Sequence, residues 1–332
     1  MHVLRPGLVL KDRYVLTGQL GRNAGRQTWQ ATDRQTDQPA IVKLLTFGGD
    51  VEWDDLKLFE REAQVLQQLN HPRIPQYLDY FALDDRTLWF GLVQAYIPGE
   101  TLKQGLDRGV KWLVADLVQF AKEVLDILIY LHELQPPLLH RDIKPSNLIL
   151  GTDRCLHLVD FGSVQDKAAA EGKTFTVTGT YGYAPIEQFG GRAVPASDLY
   201  GLGATLIHLA TGQSPADLPQ DERGRIAFRE AASLPNHLAT WLEVMTDPLV
   251  KKRYPSARAA LAALADLIEA ARAVQPRKTS VLPGFATRVQ VTAAADVLAI
   301  EVPAKLRGPA SNSTPTWPWA SPAGFWCWGC WL

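Results

Sequence analysis

The 332-residue sequence has little cysteine, two methionines and no surplus of charge. Three cysteines, Cys155, Cys327 and Cys330, are too few for a disulfide framework. With no charged-then-apolar leader after Met1, they imply a reducing, cytoplasmic setting rather than secretion. The 34 basic and 35 acidic residues leave a formal charge of −1, so the chain has no electrostatic footprint for nucleic acid, and any phosphate it handles must be held locally. No apolar run approaches the ~20 residues of a membrane-spanning helix, and no internal repeat is present. What the chain does have is 46% hydrophobic and 21% charged residues, a composition that buries a sizeable core. At roughly 150 residues per domain the length fits one large two-lobed unit, or two ordinary domains, with a tail.

Residues 14–20, 27–33, 40–45, 76–83 and 87–94 are short, β-branched or aromatic, and bounded by turn residues, so they read as strands. One helix interrupts them at 54–69, where Leu58, Glu62, Val65, Leu66 and Leu69 recur at spacings of three and four before Asn70-His71-Pro72 ends the pattern. After Ile97-Pro98-Gly99 the periodicity becomes helical. Residues 112–134 carry an apolar stripe of Leu113, Leu117, Ala121, Val124, Leu128 and Leu131, and further helices are predicted at 197–210, 236–245 and 256–273. The expected fold is α+β, a β-rich part with one helix (10–97) followed by a mostly helical part (98–273). Residues 274–332 form a separate tail with two predicted strands, at 288–292 and 297–302. Five of the ten tryptophans fall in its last 16 positions. Its Trp-rich end reads either as an anchor at a membrane interface or as disordered chain. Cys327-Trp328-Gly329-Cys330 has the spacing of half a zinc site or a redox pair, but the further ligands or the βαβ unit those need are missing.

The strongest chemical signal is His140-Arg141-Asp142-Ile143-Lys144-Pro145-Ser146-Asn147, followed by two short strands and Asp160-Phe161-Gly162. A hairpin of 148–150 and 156–159, turning at Gly151-Thr152-Asp153, folds the chain back and returns Asp160 beside Asn147. An amide oxygen and a carboxylate converging there suit magnesium, which takes few protein ligands and leaves the others to phosphates and water. Asp142 can then face an incoming hydroxyl, with Lys144 within reach of a transferring phosphoryl group.

In these motifs the chain resembles the protein kinase superfamily, in its bacterial eukaryotic-like serine/threonine branch, over about residues 10–273. The resemblance implies a bilobal fold. It also implies transfer of the ATP γ-phosphoryl group to Ser or Thr hydroxyls of protein substrates, with magnesium, or manganese in its place. Lys43, closing Ala40-Ile41-Val42-Lys43, resembles the strand lysine that holds the α- and β-phosphates, and Glu62 its helical partner. By the same resemblance Asp142 orients the hydroxyl and accepts its proton, Asn147 and Asp160 bind the metal, and Lys144 offsets charge on the γ-phosphoryl group. Thr180 contacts Asp142 and Lys144, while Ala95 and Ile97 offer backbone contacts to adenine. Lys144 with Pro145 favours Ser/Thr over Tyr acceptors. Asp198 resembles a buried acceptor of backbone N–H groups from the catalytic segment, and Glu187 and Arg253 resemble a structural pair. Thr174, Thr176 and Thr178 form either a plain polar loop or an autophosphorylated segment whose phosphate pairs with Arg141.

The glycine-rich loop departs from the family pattern. Against G-x-G-x-x-G-x-V the chain has Gly21, Asn23, Arg26 and Thr28, with Gly25 displaced by one position. Asn23, the non-glycine type best suited to left-handed dihedrals, is expected to keep the turn; Arg26 either obstructs the phosphates or grips them. Ile41 and Gln94 replace a small residue and an apolar one around the adenine site, which predicts a narrower pocket. The competing reading of the whole is a pseudokinase scaffold that switches a partner without catalysis.

Overall fold

The computed structural model describes residues 4–23, 25–47, 53–85, 87–166, 179–274, 278–281, 290–294 and 297–301. The expected Thr174, Thr176 and Thr178 segment and the Trp-rich end with Cys327 and Cys330 lie outside them. The chain divides into two units, Met1–Ala270 and Ala271–Leu332.

The first unit opens with strands β1 (Val9–Leu10), β2 (Tyr14–Asn23), β3 (Arg26–Asp33), β4 (Gln38–Phe47), β5 (Tyr77–Asp85) and β6 (Thr87–Ala95). They form one antiparallel sheet in the order β1-β2-β3-β4-β6-β5. Side chains alternate across a strand, and in β4 this separates two packing layers. Val42 and Leu44 join Tyr14, Leu16, Trp29, Phe81 and Val93 in a small cluster on one face. Leu45 packs on the other with Leu92 and with Leu56, Phe59, Ala63 and Leu66 of α1 (Trp53–Gln68). Lys43 lies between Val42 and Leu44, so the same alternation turns it to the α1 side of the sheet. Asp54 and Asp55 in the first turn of α1 complement its dipole, and Asn70-His71-Pro72 follows its end.

Past the sheet, β7 (Gly99–Thr101) leads into α2 (Leu102–Asp107), which Thr101 and Gln104 cap reciprocally. Gly99, at φ 155°, is required by close approach: a Cβ there would stand 2.3 Å from the Leu150 carbonyl oxygen. The body of the helical part is α3 (Val114–His132) against α5 (Pro195–Thr211). Helix α3 buries Leu117, Ala121, Val124, Leu128 and Leu131 on the expected stripe. Helix α5 is buried nearly all round, as a central helix must be; it starts with Pro195 and stops at Gly212, φ 70°. Between these helices the chain forms β8 (Leu138–Leu139), β9 (Leu148–Gly151), β10 (Leu156–Leu158), β11 (Gln165–Asp166) and the short α4 (Ile186–Phe189). Helices α6 (Asn236–Met245) and α7 (Ala257–Val274) follow, and the first unit ends within α7. Among the described residues no helix is long and apolar enough to cross a membrane.

The second unit contains β12 (Lys278–Val281), β13 (Gln290–Ala294) and β14 (Val297–Glu301), an antiparallel sheet in that order. Two of these strands fall at the positions expected from the sequence.

Trp241 is fully buried in α6 and donates its Nε1–H to the Ala260 carbonyl of α7 at 3.0 Å. Trp241→Ala removes both the ring and this tie, and should cost about 3–5 kcal/mol in urea denaturation. A loss below about 1 kcal/mol would show that α6 and α7 do not depend on it.

Candidate active site

Lys43 stands opposite Thr28 of β3 and Leu92 of β6. Its Nζ is 2.5 Å from Glu62 Oε1 on α1 and 2.8 Å from Asp160 Oδ1 on the loop after β10. Burial works against the ammonium, but Asp160 and Glu62 more than offset it and raise the lysine further above its ordinary range. The same charge holds the Asp160 carboxyl well below the usual carboxylate range, whereas burial pushes Glu62 up despite its lysine partner. Asp160 has φ 68° and ψ 78°, a left-handed backbone uncommon outside glycine. The turn that follows buries Phe161, whose ring meets His140 edge-on at 5.0 Å.

The segment from His140 to Asn147 hangs from a single buried carboxylate. Asp198, near the start of α5, accepts the backbone N–H of His140 at 3.0 Å and of Arg141 at 2.7 Å. Its Oδ2 also lies 2.9 Å from His132 Nε2. Burial would raise the Asp198 carboxyl, but these partners hold it below its ordinary value. Arg141 takes φ 65°, and its side chain and carbonyl are fixed from two directions. Nε donates to Ser163 O at 2.6 Å, and Gln188 Nε2 donates to Arg141 O at 2.6 Å. Burial lowers the Arg141 pKa to about 10.

Beyond this anchor, Asp142 is surrounded by donors. Lys144 Nζ is 2.7 Å from its Oδ2, Asn147 Nδ2 donates to the same oxygen at 3.0 Å, and Thr180 Oγ1 donates to Oδ1 at 2.9 Å. Lys144 Nζ also donates to Thr180 Oγ1 at 2.8 Å. The β9–β10 hairpin pairs Leu148 with Leu158 and brings the Val159 N–H to the Asn147 carbonyl at 2.9 Å. Asn147 and Asp160 therefore end on one cavity. Glu123 of α3 steadies the hairpin by accepting the Leu156 N–H at 2.8 Å.

That cavity, about 590 Å³, lies under the sheet, with Lys43, Glu62, Asn147 and Asp160 among its lining. Its volume falls within the ~300–1,000 Å³ of small-molecule sites, and Ile41 and Gln94 are both among its lining. Gly21, Asn23, Thr28, Ile41, Ala95 and Ile97 all line it. The Ala95 N–H is committed to Gln76 O at 2.8 Å, so any contact of its backbone with a base falls to its carbonyl. Leu20 and Ile149, which sequence reasoning did not single out, also line the cavity; alternation along β9 was the available signal for Ile149. His132 and Gln188 were likewise missed. His132, four residues after Leu128, lies on the buried stripe of α3, whereas nothing local marks Gln188.

One expectation for the glycine-rich loop needs correction. Asn23 does not make the turn: it is the last residue of β2 and is not left-handed, and Gly25 takes that role at φ 69°. Glycine reaches this region without the Cβ clash that asparagine still bears. Arg26 lines the cavity, and its Nη2 reaches across to Asp55 Oδ1 of α1 at 3.1 Å.

Away from the cavity, Glu187 and Arg253 form the expected pair, Nη1 to Oε1 at 2.7 Å and Nη2 to Oε2 at 3.2 Å. The Arg253 side chain is fully buried. Its guanidinium also donates to the carbonyls of Asp247, Ala196 and Pro248 and lies over the Tyr200 ring. Ser197 Oγ donates to Glu187 at 2.7 Å. This links α4, α5 and the segment before α7. Among the described residues, no group of three or more His, Cys, Asp or Glu is placed to hold a metal ion by itself.

A family model described as protein kinase domain matches residues 14–278. Serine/threonine-protein kinase B of Synechocystis sp. is 34% identical over 284 residues, covering 77% of this chain and 47% of the relative. Serine/threonine-protein kinase F of the same organism is 35% identical over 280 residues, covering 78% and 56%. Serine/threonine-protein kinase PrkC of Bacillus subtilis is 28% identical over 213 residues, covering 64% and 32%. The chain thus spans about half the length of the two Synechocystis proteins.

Breaking the Glu187–Arg253 pair from one side leaves a charge without its partner. Arg253→Ala should lose about 3–5 kcal/mol of stability by urea denaturation, and pairing Arg253→Met with Glu187→Leu should recover much of it. A single substitution costing under about 1 kcal/mol would mean that the pair is not needed to hold these segments together.

Proposed function

The chain belongs to the protein kinase family, and we propose that it transfers the γ-phosphoryl group of ATP to Ser or Thr hydroxyls of protein substrates. Residues 10–97 and 98–273 are assigned to the two lobes of the kinase and 274–332 to a tail. The proposal rests above all on Asp142, whose carboxylate is held by Lys144, Asn147 and Thr180 next to a cavity that already carries Lys43. An acceptor hydroxyl that reaches Asp142 would be oriented by a fixed carboxylate oxygen and give up its proton there as the new O–P bond forms and the bond from the γ-phosphorus to the β–γ bridging oxygen breaks, releasing ADP. Lys144 stands beside the same oxygen and offsets charge on the phosphoryl group in flight. Thr180 bridges Asp142 and Lys144 and keeps the two in register.

At the other end of the cavity Lys43 is the cation for the α- and β-phosphates, with Glu62 fixing its direction from α1. The donor set at the hairpin fits a hard divalent ion. Asn147 uses its Nδ2 on Asp142. Its amide oxygen, which accepts one hydrogen bond from Ser146 Oγ at 3.3 Å, has a second lone pair for a ligand, while Asp160 stays ionised beside Lys43. Magnesium held by Asn147 and Asp160 would supply positive charge to the phosphate oxygens. Ala95 and Ile97 offer backbone groups to the base between Ile41 and Ile149. Phosphoryl transfer asks for little covalent chemistry from the protein, so positioning and charge carry the rate.

The assay is transfer of radiolabelled phosphate from ATP to the chain itself and to a generic basic protein substrate. Asp142→Asn should slow transfer about 10²–10⁴-fold with ATP binding retained, and Lys43→Ala should abolish it. Near-normal activity of Asp142→Asn would overturn the assigned base. A wild-type chain that binds ATP and transfers nothing would favour the scaffold reading over catalysis.

A further inference from the structure

Arg26 occupies the place where the family pattern has its third glycine, and the strand register shows where its side chain goes. In β3, Trp29 and Ala31 are buried on the face away from α1, and Gln27 Oε1 accepts from Trp29 Nε1 at 3.2 Å on that same face. Strand alternation then puts Arg26 and Thr28 on the opposite face, the one that carries Lys43. Thr28 pairs directly with Lys43, and Arg26 pairs with Leu45, two residues nearer the hairpin. At about 3.3 Å per residue the Arg26 backbone lies roughly 7 Å along the strand from Thr28, and the residue lines the cavity.

The charges around it are unbalanced in its favour. The inner end of the cavity holds two carboxylates, Glu62 and Asp160, against one ammonium, Lys43. A bound triphosphate adds several negative charges there. The present partner of Arg26 is weakly held: the Arg26 and Asp55 side chains are 40% and 41% exposed, and half-exposed pairs of this kind contribute little. A guanidinium grips phosphate through paired N–H bonds. Where glycine lets the backbone itself approach a phosphate, the Cβ of Arg26 stands in the way, so its side chain replaces that contact.

We propose that Arg26 is a phosphate-binding residue of this cleft, which leaves Asp55 when a nucleoside triphosphate enters and closes its guanidinium on the terminal phosphate. This rests on the reading of the cleft as an ATP site. The pair with Asp55 is then the nucleotide-free position of the same side chain.

Calorimetric titration of the full chain with ATP and with ADP, both with magnesium, tests it on Arg26→Ala, Arg26→Lys and Asp55→Asn. Loss of the guanidinium should weaken ATP about 10–100-fold and ADP far less, with Arg26→Lys intermediate. Asp55→Asn should leave ATP binding as tight or tighter, because it frees Arg26. An unchanged ratio of ATP to ADP affinity in Arg26→Ala would overturn the proposal, as would an equal loss of ATP affinity in Asp55→Asn and Arg26→Ala. If the wild type binds neither nucleotide, the ATP reading falls and takes this proposal with it. If the wild type binds both and Arg26→Ala matches it, only the role of Arg26 falls.

Discussion

One ammonium shared by two carboxylates holds the centre of this molecule. Lys43 comes from a strand, Glu62 from the helix packed on that strand's inner face, and Asp160 from a loop more than a hundred residues later. Lys43 and Glu62 are largely withdrawn from water, where burial alone disfavours both charged forms, while the Asp160 side chain stays half exposed at the cavity. Together they fix the direction of α1, the end of the β9–β10 hairpin and the left-handed turn at Asp160. A pair this buried is weak evidence for stability, since apolar packing of similar volume often serves as well. On the proposed function the pair serves as preparation: a cation is aimed into the cleft before phosphates arrive.

The second support is backbone rather than side chain. Asp198 collects the N–H groups of two successive residues and the ring of His132, all inside the helical core. Consecutive N–H groups in an extended strand point to opposite sides, so their convergence on one carboxylate goes with the positive φ of Arg141. That turn then delivers Asp142 to Lys144, Asn147 and Thr180. The uncommon backbone is thus held from α5, a helix buried nearly all round, and the segment from His140 to Asn147 itself remains free to be polar.

Much of this was legible in the sequence because it is local. The hairpin that returns Asp160 to Asn147 follows from two short strands and a Gly-Thr-Asp turn, and the α1 face bearing Glu62 follows from a period of three and four. The helix bounds from the sequence and the structure differ by a residue or two at most in α1, α3, α5 and α7 and coincide in α6. What could not be read was set by distant partners. That Gly25 rather than Asn23 makes the hairpin turn is decided by the pairing of β2 with β3. That Arg26 reaches Asp55 depends on how α1 docks, and that Gln188 holds the Arg141 carbonyl depends on a contact across 47 residues. Only Gly25 carried a local signal, its freedom at positive φ; the residue types at the other positions carried none.

The central claim is that Lys43, aimed by Glu62, is the cation that receives the nucleotide. A crystal structure of the chain with magnesium and a non-hydrolysable ATP analogue tests it most directly. The account predicts phosphate oxygens within hydrogen-bond distance of Lys43 Nζ, the Glu62 pair intact, and the metal against Asn147 and Asp160. An analogue bound elsewhere, or in the cleft with Lys43 turned away from its phosphates, would contradict it.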